Sequence, residues 1–168
     1  MIRLVFDCLR SPYDFANVLQ VVLALGPGEC EMHVTGNSMR HDHRKISGKV
    51  SSWSKRLKST GLPRLPIFYY ASFDECVTAL QQQGVRLIGT SPHSEKSLYD
   101  VDFRNNDIAV VFGTETSGLT EAKSSRLDDM VKIPMSEYID FMTLSVCVPI
   151  VAYEIFRQRT AGTVVLVQ

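Results

Sequence analysis

Five apolar residues in succession, Ile108 to Phe112, run straight into Gly-Thr-Glu-Thr-Ser-Gly-Leu at 113–119. A run with no polar residue at alternate positions predicts a strand buried on both faces, which belongs inside a parallel sheet covered by helices on each side. The glycine-bounded turn at its C-terminal end lets backbone amides and carbonyls come close to a ligand, and strand ends of open α/β sheets are where small molecules bind.

The rest of the chain follows the same grammar. Strand-like segments occur at 2–6, 30–34, 67–70, 86–89 and 130–133 besides 108–112. Between them, Phe15, Val18, Leu19, Val22, Leu23 and Leu25 have helical spacing over 14–25 and end at Gly26-Pro27-Gly28. Ser72-Phe-Asp-Glu75 opens a second helix with a capping-box pattern that runs to Gln82 and stops at Gly84. A third helix is expected at 119–127 and a long apolar one at 140–158. Alternating strands and helices predict an α/β fold, a mostly parallel sheet flanked by helices, in one domain over 1–168. Segment 40–64 breaks the alternation and reads as a polar, functional insertion.

Charge is balanced overall, 18 basic against 18 acidic residues, but not locally. Arg40, Arg44, Lys45, Lys49, Lys55, Arg56, Lys58 and Arg64 face a single acid, Asp42, across the insertion, with Trp53 among them. A basic stretch holding an aromatic suits a phosphate backbone and a stacked base; its alternative is a solvated loop whose Trp53 plugs the core. His41 and His43 flank Asp42, but with no further ligand nearby they read as an exposed polar loop. Cys8, Cys30, Cys76 and Cys147 lack metal-ligand spacing and are expected to be buried free thiols. No apolar run approaches the ~20 residues that span a bilayer, and Met1–Asp7 reads as a first strand, so a cytoplasmic location is expected.

Three loops should meet at the C-terminal edge of the sheet: Thr90-Ser91-Pro92, Gly113–Leu119 and Ile133-Pro134-Met135. No Gly-x-Gly-x-x-Gly follows the first strand and no Gly-x-x-x-x-Gly-Lys-Ser/Thr occurs, which excludes a Rossmann dinucleotide site and a P-loop. The pieces together resemble a known family. Phe112-Gly-Thr-Glu-Thr-Ser-Gly-Leu119, Ile133-Pro-Met135 with Val151-Ala-Tyr-Glu154, and the helix from Pro12 to Gly26 resemble, in order, the second, third and first motifs of the SPOUT RNA methyltransferases. The closest likeness is to the SpoU/TrmH-type ribose 2′-O-methyltransferases in their minimal single-domain form.

That resemblance implies a C-terminal deep trefoil knot, an exception to the rule that chains avoid threading. It implies S-adenosylmethionine bound in the knot by Thr90, Gly113, Glu115, Gly118, Leu119, Ile133, Met135 and Met142. It implies a homodimer in which one subunit's first motif reaches the other's cofactor, and an RNA substrate, tRNA or rRNA. The apolar C-terminal helix, with Pro149 expected to kink it, has more apolar surface than a monomer core needs and suits that dimer contact.

Several positions depart from the family pattern. Gln20 stands where the first motif has its Arg, and Asp14 where it has Asn. In the third motif Phe141 replaces Ser and Thr143 replaces Asn, while Ser145 remains. The catalytic set implied is therefore Gln20, Glu115 and Ser145, with Arg10 or Arg40 as the substituting cation; Glu115 also reads as a helix cap. Two readings of different class stand side by side: an S-adenosylmethionine-dependent RNA ribose 2′-O-methyltransferase, and a degenerate paralogue that binds RNA or a protein partner without methyl transfer. A third, a crevice for an unrelated nucleotide, has only the generic fold behind it.

Overall fold

The computed structural model describes residues 1–26, 28–54, 66–104 and 107–160. Six strands form one sheet in the order β3-β2-β1-β5-β4-β6, and every adjacent pair is parallel. They are β1 (Ile2–Asp7), β2 (Cys30–Thr35), β3 (Ile67–Tyr70), β4 (Arg86–Thr90), β5 (Ile108–Phe112) and β6 (Asp129–Val131). Helices α1 (Pro12–Leu25), α2 (Arg44–Ser54), α3 (Phe73–Gln82), α4 (Glu121–Ser124) and α5 (Leu144–Thr160) complete the architecture.

The central position of β5 follows from its composition. Ile108, Val110 and Phe112 face the core shared with α1, α2 and α5, whereas Ala109 and Val111 face the core under α3. All five are at most 1% exposed, so a polar residue at any of them would be buried in one core or the other. Phe6 and Phe112 stack at 5.3 Å across β1 and β5, fastening the middle of the sheet.

Helix ends obey local chemistry. Ser11 Oγ accepts the Asp14 N–H at the start of α1, and Pro12 occupies the first turn where its missing N–H costs nothing. Ser72 Oγ accepts the Glu75 N–H while Glu75 Oε2 accepts the Ala71 N–H, a reciprocal cap for α3. Gly84, at φ +73°, turns the chain out of α3 as the sequence predicts.

Three elements differ from the sequence reading. The insertion is not all loop: α2 spans Arg44–Ser54 and packs on α1 through Ile46 and Val50, spaced one turn apart and buried. Two apolar residues at that spacing are enough to seat a helix whose remaining residues are polar, and they restore the strand-helix-strand order. Helix α4 is a single turn rather than 119–127, because the Asp128 N–H already donates to Leu87 O and the chain must turn into β6. Helix α5 begins at 144 instead of 140: Thr143 O accepts from Val146 and Cys147, and residues 136–143 are irregular and largely exposed. It continues through Pro149 to Thr160.

Cys30 and Cys76 are buried as expected, and burial pushes both thiols up to about 12, while Cys8 and Cys147 are only partly buried. Lys55, Arg56, Lys58, Arg64, the Trp53 side chain and the 163–167 tail lie outside the described residues. Among the described residues no helix is long and apolar enough to cross a membrane.

Candidate functional site

The three loops singled out in the sequence leave adjacent strand ends. Thr90 is in register with Val131 on β6, and Gly89 with both Val111 on β5 and Met130 on β6. Thr90 Oγ1 donates to Val111 O at 3.2 Å, and the Ser91 N–H donates to Val131 O. The edge is therefore tied together below the point where the loops diverge.

The loop after β5 is pinched shut. Thr114 and Gly118 exchange both backbone hydrogen bonds, at 3.1 and 2.9 Å, and Thr114 Oγ1 bonds Ser117 Oγ at 2.8 Å. Gly113 must be glycine: a Cβ there would lie 2.1 Å from the Gly118 carbonyl carbon. Gly118 sits at φ +64°, the left-handed region that glycine enters without strain. Glu115 is left exposed near the tip, and Leu119 folds back over the side-chain-free face of Gly89. Half-buried Leu119 packs on the α3-side core and half-buried Ile133 on the α1/α5-side core, so the loops present one apolar wall from each face of the sheet. Backbone groups at three converging strand ends, between two aliphatic walls, form a donor set that fits an adenosyl group bound mainly by main chain. Met135 and Met142 are half-buried on the segment that leads from β6 to α5.

Asp14 and Arg10 lie within electrostatic reach of this loop. Asp14, in the first turn of α1, accepts the Ser145 N–H at 3.1 Å through Oδ1 and so caps the N-terminus of α5. The Glu115 carboxyl lies within electrostatic reach of Asp14. Partial desolvation and, after it, the neighbouring Asp14 raise the Glu115 carboxyl above its ordinary value, against opposing effects of the Ser11 backbone N–H and the Arg10 charge. Arg10 and Arg40, the two cations considered in the sequence, line one cavity of about 480 Å³ with Asn37, Ser38, Met39, Asp42 and His43. Leu9 and Met39 hold that cavity's walls together: Met39 N–H donates to Leu9 O, and Leu9 N–H to Ser38 Oγ. Arg40 lies over the Tyr69 ring at 4.6 Å.

Other candidates are placed less centrally. Gln20 is exposed on α1. Phe141, 63% exposed, projects outward instead of filling a pocket, and Thr143 Oγ1 pairs with Ser145 Oγ at 3.0 Å. Arg44 and Lys45 are exposed on α2, and Lys49 places its Nζ 3.4 Å from the centroid of the Tyr13 ring. His41 bonds Tyr69 Oη at 2.9 Å and belongs to an exposed turn.

Two features escaped sequence reasoning. Asp7, 3% exposed at the end of β1, pairs with Lys123 Nζ at 2.5 Å, which anchors α4 to the end of β1; an acid closing an apolar strand was the available signal. The Asp14–Ser145 bond joins residues 131 apart, and nothing local announced it.

Residues 2–153 match the SpoU rRNA methylase family. The chain belongs to that family. Among its relatives is the 23S rRNA (guanosine-2′-O-)-methyltransferase RlmB of Xanthomonas axonopodis pv. citri, 30% identical over 156 residues, covering 93% of this chain and 58% of the relative. RlmB of Coxiella burnetii is 31% identical over 154 residues, 92% of this chain and 53% of the relative. This SpoU-family chain thus spans little more than half the length of those curated relatives. A solved structure concerned with 2-OH methylation of C/U34 on tRNA matches at 28% identity and TM-score 0.79, covering 96% and 97% of the two chains. The SpoU methyltransferase AviRb of Streptomyces viridochromogenes, solved with AdoMet, shares the fold at TM-score 0.78 and 23% identity, over 95% and 61%.

Proposed function

We propose that this SpoU-family protein transfers a methyl group from S-adenosylmethionine to the 2′-hydroxyl of a ribose in tRNA or rRNA. The pinched, glycine-dependent 113–119 loop, set between Thr90 and Ile133 at the sheet edge, is the observation that carries the reading. When bound, the cofactor supplies an electrophilic methyl on sulfur. Thr90, Gly113, Gly118, Leu119, Ile133, Met135 and Met142 would hold it, and Glu115 would shape its loop. Arg10, within electrostatic reach of Glu115 and in the lining of the 480 Å³ cavity, would hold the target nucleotide's phosphate or hydroxyl. Gln20 and Ser145 contribute hydrogen bonds to orient the substrate, since methyl transfer is an in-line displacement in which positioning supplies much of the rate. Exposed Arg40, Arg44 and Lys45, with Lys49, would meet the RNA backbone, and Lys55 and Arg56 extend that reading in sequence.

We further infer a homodimer through α5 and a trefoil knot. Tyr13, Val146 and Tyr153 are exposed on α1 and α5, and a Gln20 pointing to solvent is available to a second subunit. Support for threading comes from the chain around Lys132. Residues 129–131 pair with β4 on one side, while Lys132 bonds Lys96 and Leu98 on the other, and α5 returns under the same connection through Gln158 to Val101 and Phe103. The cytoplasm, where RNA is modified, is the expected site of action.

Isothermal titration with S-adenosylhomocysteine tests the cofactor reading: a saturable heat is expected, and no binding at millimolar ligand contradicts it. The exposed Phe141, with Gln20 and Thr143, favours a second reading, a paralogue that binds RNA or a partner without transfer. Retained RNA binding with methyl transfer at background would select it.

A further inference from the structure

Arg40 is an exposed cation on a turn whose backbone is fixed on both sides. Before it, the Met39 N–H donates to Leu9 O at 2.8 Å. After it, the His41 N–H donates to Tyr69 Oη at 2.8 Å, and Arg40 O itself accepts the His43 N–H at 3.0 Å. The guanidinium lies over the Tyr69 ring, Cζ 4.6 Å from its centroid, and that ring is half-buried against the α1/α5-side core. A side chain that ordinarily loses much rotamer freedom on binding is therefore already placed. An ion pair does not account for the arrangement. Asp42 Oδ1 comes only within 3.9 Å of Arg40 Nε, and the two side chains are 63% and 67% exposed, Arg40 first, where such pairs contribute little.

We propose that Arg40, backed by Tyr69, is a shelf on which an unstacked RNA base lies, with Arg10 taking the phosphate of the same nucleotide. Guanidinium planes stack bases as aromatic rings do, and a base is available for this only where the strand is splayed out of a helix. Arg10 and Arg40 line one cavity, and its volume of about 480 Å³ falls within the roughly 300–1,000 Å³ of small-ligand sites. Asn37 and Asp42, in the same lining, decide between a base and a second phosphate at the Arg40 end. A carboxylate there disfavours a phosphate but accepts from a base's amino group, and the amide both donates and accepts. Arg10 is also within electrostatic reach of Glu115, which ties this cavity to the loop after β5. The inference rests on the RNA reading of the proposed function, and narrows the part of Arg40 in it from a contact with the backbone to a contact with a base.

Fluorescence anisotropy of the full chain with a labelled single-stranded RNA dodecamer of mixed sequence, and with the same strand paired to its complement, tests the shelf. Arg40→Lys keeps the charge but not the plane. It is expected to weaken single-strand binding by about tenfold while leaving the salt dependence and the duplex affinity unchanged. Tyr69→Leu removes the ring behind Arg40 and is expected to reproduce the loss. Arg44→Lys, the same exchange on α2, is expected to bind as the unaltered protein does. Single-strand affinity untouched by Arg40→Lys overturns the proposal, because a point charge would then suffice. An equal loss on the duplex, an equal loss in Arg44→Lys, or no binding of either RNA overturns it as well. Arg40 is exposed, so Arg40→Lys should keep the thermal midpoint of the unaltered protein, and it decides the matter alone if Tyr69→Leu does not fold. The binding measurement does not depend on methyl transfer. Transfer at background with these losses intact contradicts the methyltransferase reading alone; transfer to bulk RNA with Arg40→Lys binding normally contradicts the shelf alone.

Discussion

Gly113 is the residue on which the loop after β5 depends most directly. A methyl group there meets Gly118 backbone at 2.1 Å, and backbone, unlike the far end of a side chain, has no cheap way to retreat. Gly113→Ala is expected to open the Thr114–Gly118 pairing, abolish S-adenosylhomocysteine binding by calorimetry, and lower stability by about 1–3 kcal/mol in urea titration. Buried Asp7, paired with the half-buried Lys123, makes a different prediction. Lys123→Met leaves an uncompensated carboxylate 3% exposed and should cost about 3 kcal/mol, whereas Asp7→Asn with Lys123→Met should recover much of it. On the α3 side, Glu31 bonds Arg3 at 2.8 Å and His33 at 3.1 Å, and His33 is fixed in turn by Tyr70. Burial alone would raise the Glu31 carboxyl, but the bonds and charges of His33 and Arg3 together hold it below its usual value. A depressed carboxyl contributes stability above its unfolded value of about 4.3 that is lost as pH falls through the lower folded value. The urea midpoint should therefore drop on acidification from pH 5 to pH 3, and less steeply in Glu31→Gln.

At the scale of elements, the proposed function assigns α2 to the RNA and α5 to a second subunit. Ile46 is fully buried between α2 and the main core, so Ile46→Ala should cost about 2–4 kcal/mol. Reversing Arg44 and Lys45 to Glu should leave stability nearly unchanged but weaken tRNA binding and shallow its salt dependence, which filter-binding at several salt concentrations would show. Val146 and Tyr153 are 47% and 45% exposed on α5. Introducing Asp at Val146 should shift sedimentation from dimer to monomer; an unchanged sedimentation coefficient would place the dimer contact elsewhere. The sequence made some elements more legible than others, for a physical reason. Strands buried on both faces write themselves as apolar runs, and five of the six begin at the residue expected. Helix α2 was obscured because just Ile46 and Val50 seat it among basic and small polar residues. Helix α4 was overdrawn because helical composition at 119–127 yields to the short tether into β6.

For the molecule as a whole, a parallel sheet was legible and the candidate site was legible in part. The three loops were placed at neighbouring strand ends by the order of strands, and Gly113 and Gly118 by their position after β5. The Asp14–Ser145 contact was not, because those residues are brought together only when α5 returns to pack beside α1. The shared cavity of Arg10 and Arg40 likewise needs the 9–10 and 38–39 segments joined by hydrogen bonds that sequence does not announce. What the assembled molecule offers is a glycine-dependent loop at the sheet edge and a cavity lined by Arg10 and Arg40, which the proposed function reads as cofactor crevice and substrate site. The central claim is that this arrangement still transfers a methyl group to ribose. Incubation with S-adenosylmethionine labelled on the methyl group and bulk tRNA and rRNA, followed by alkaline hydrolysis, tests it directly, because a 2′-O-methyl ribose blocks cleavage of the adjacent phosphodiester. The account predicts label in alkali-resistant dinucleotides, reduced to background by Gly113→Ala; label at background with the unaltered protein would contradict it.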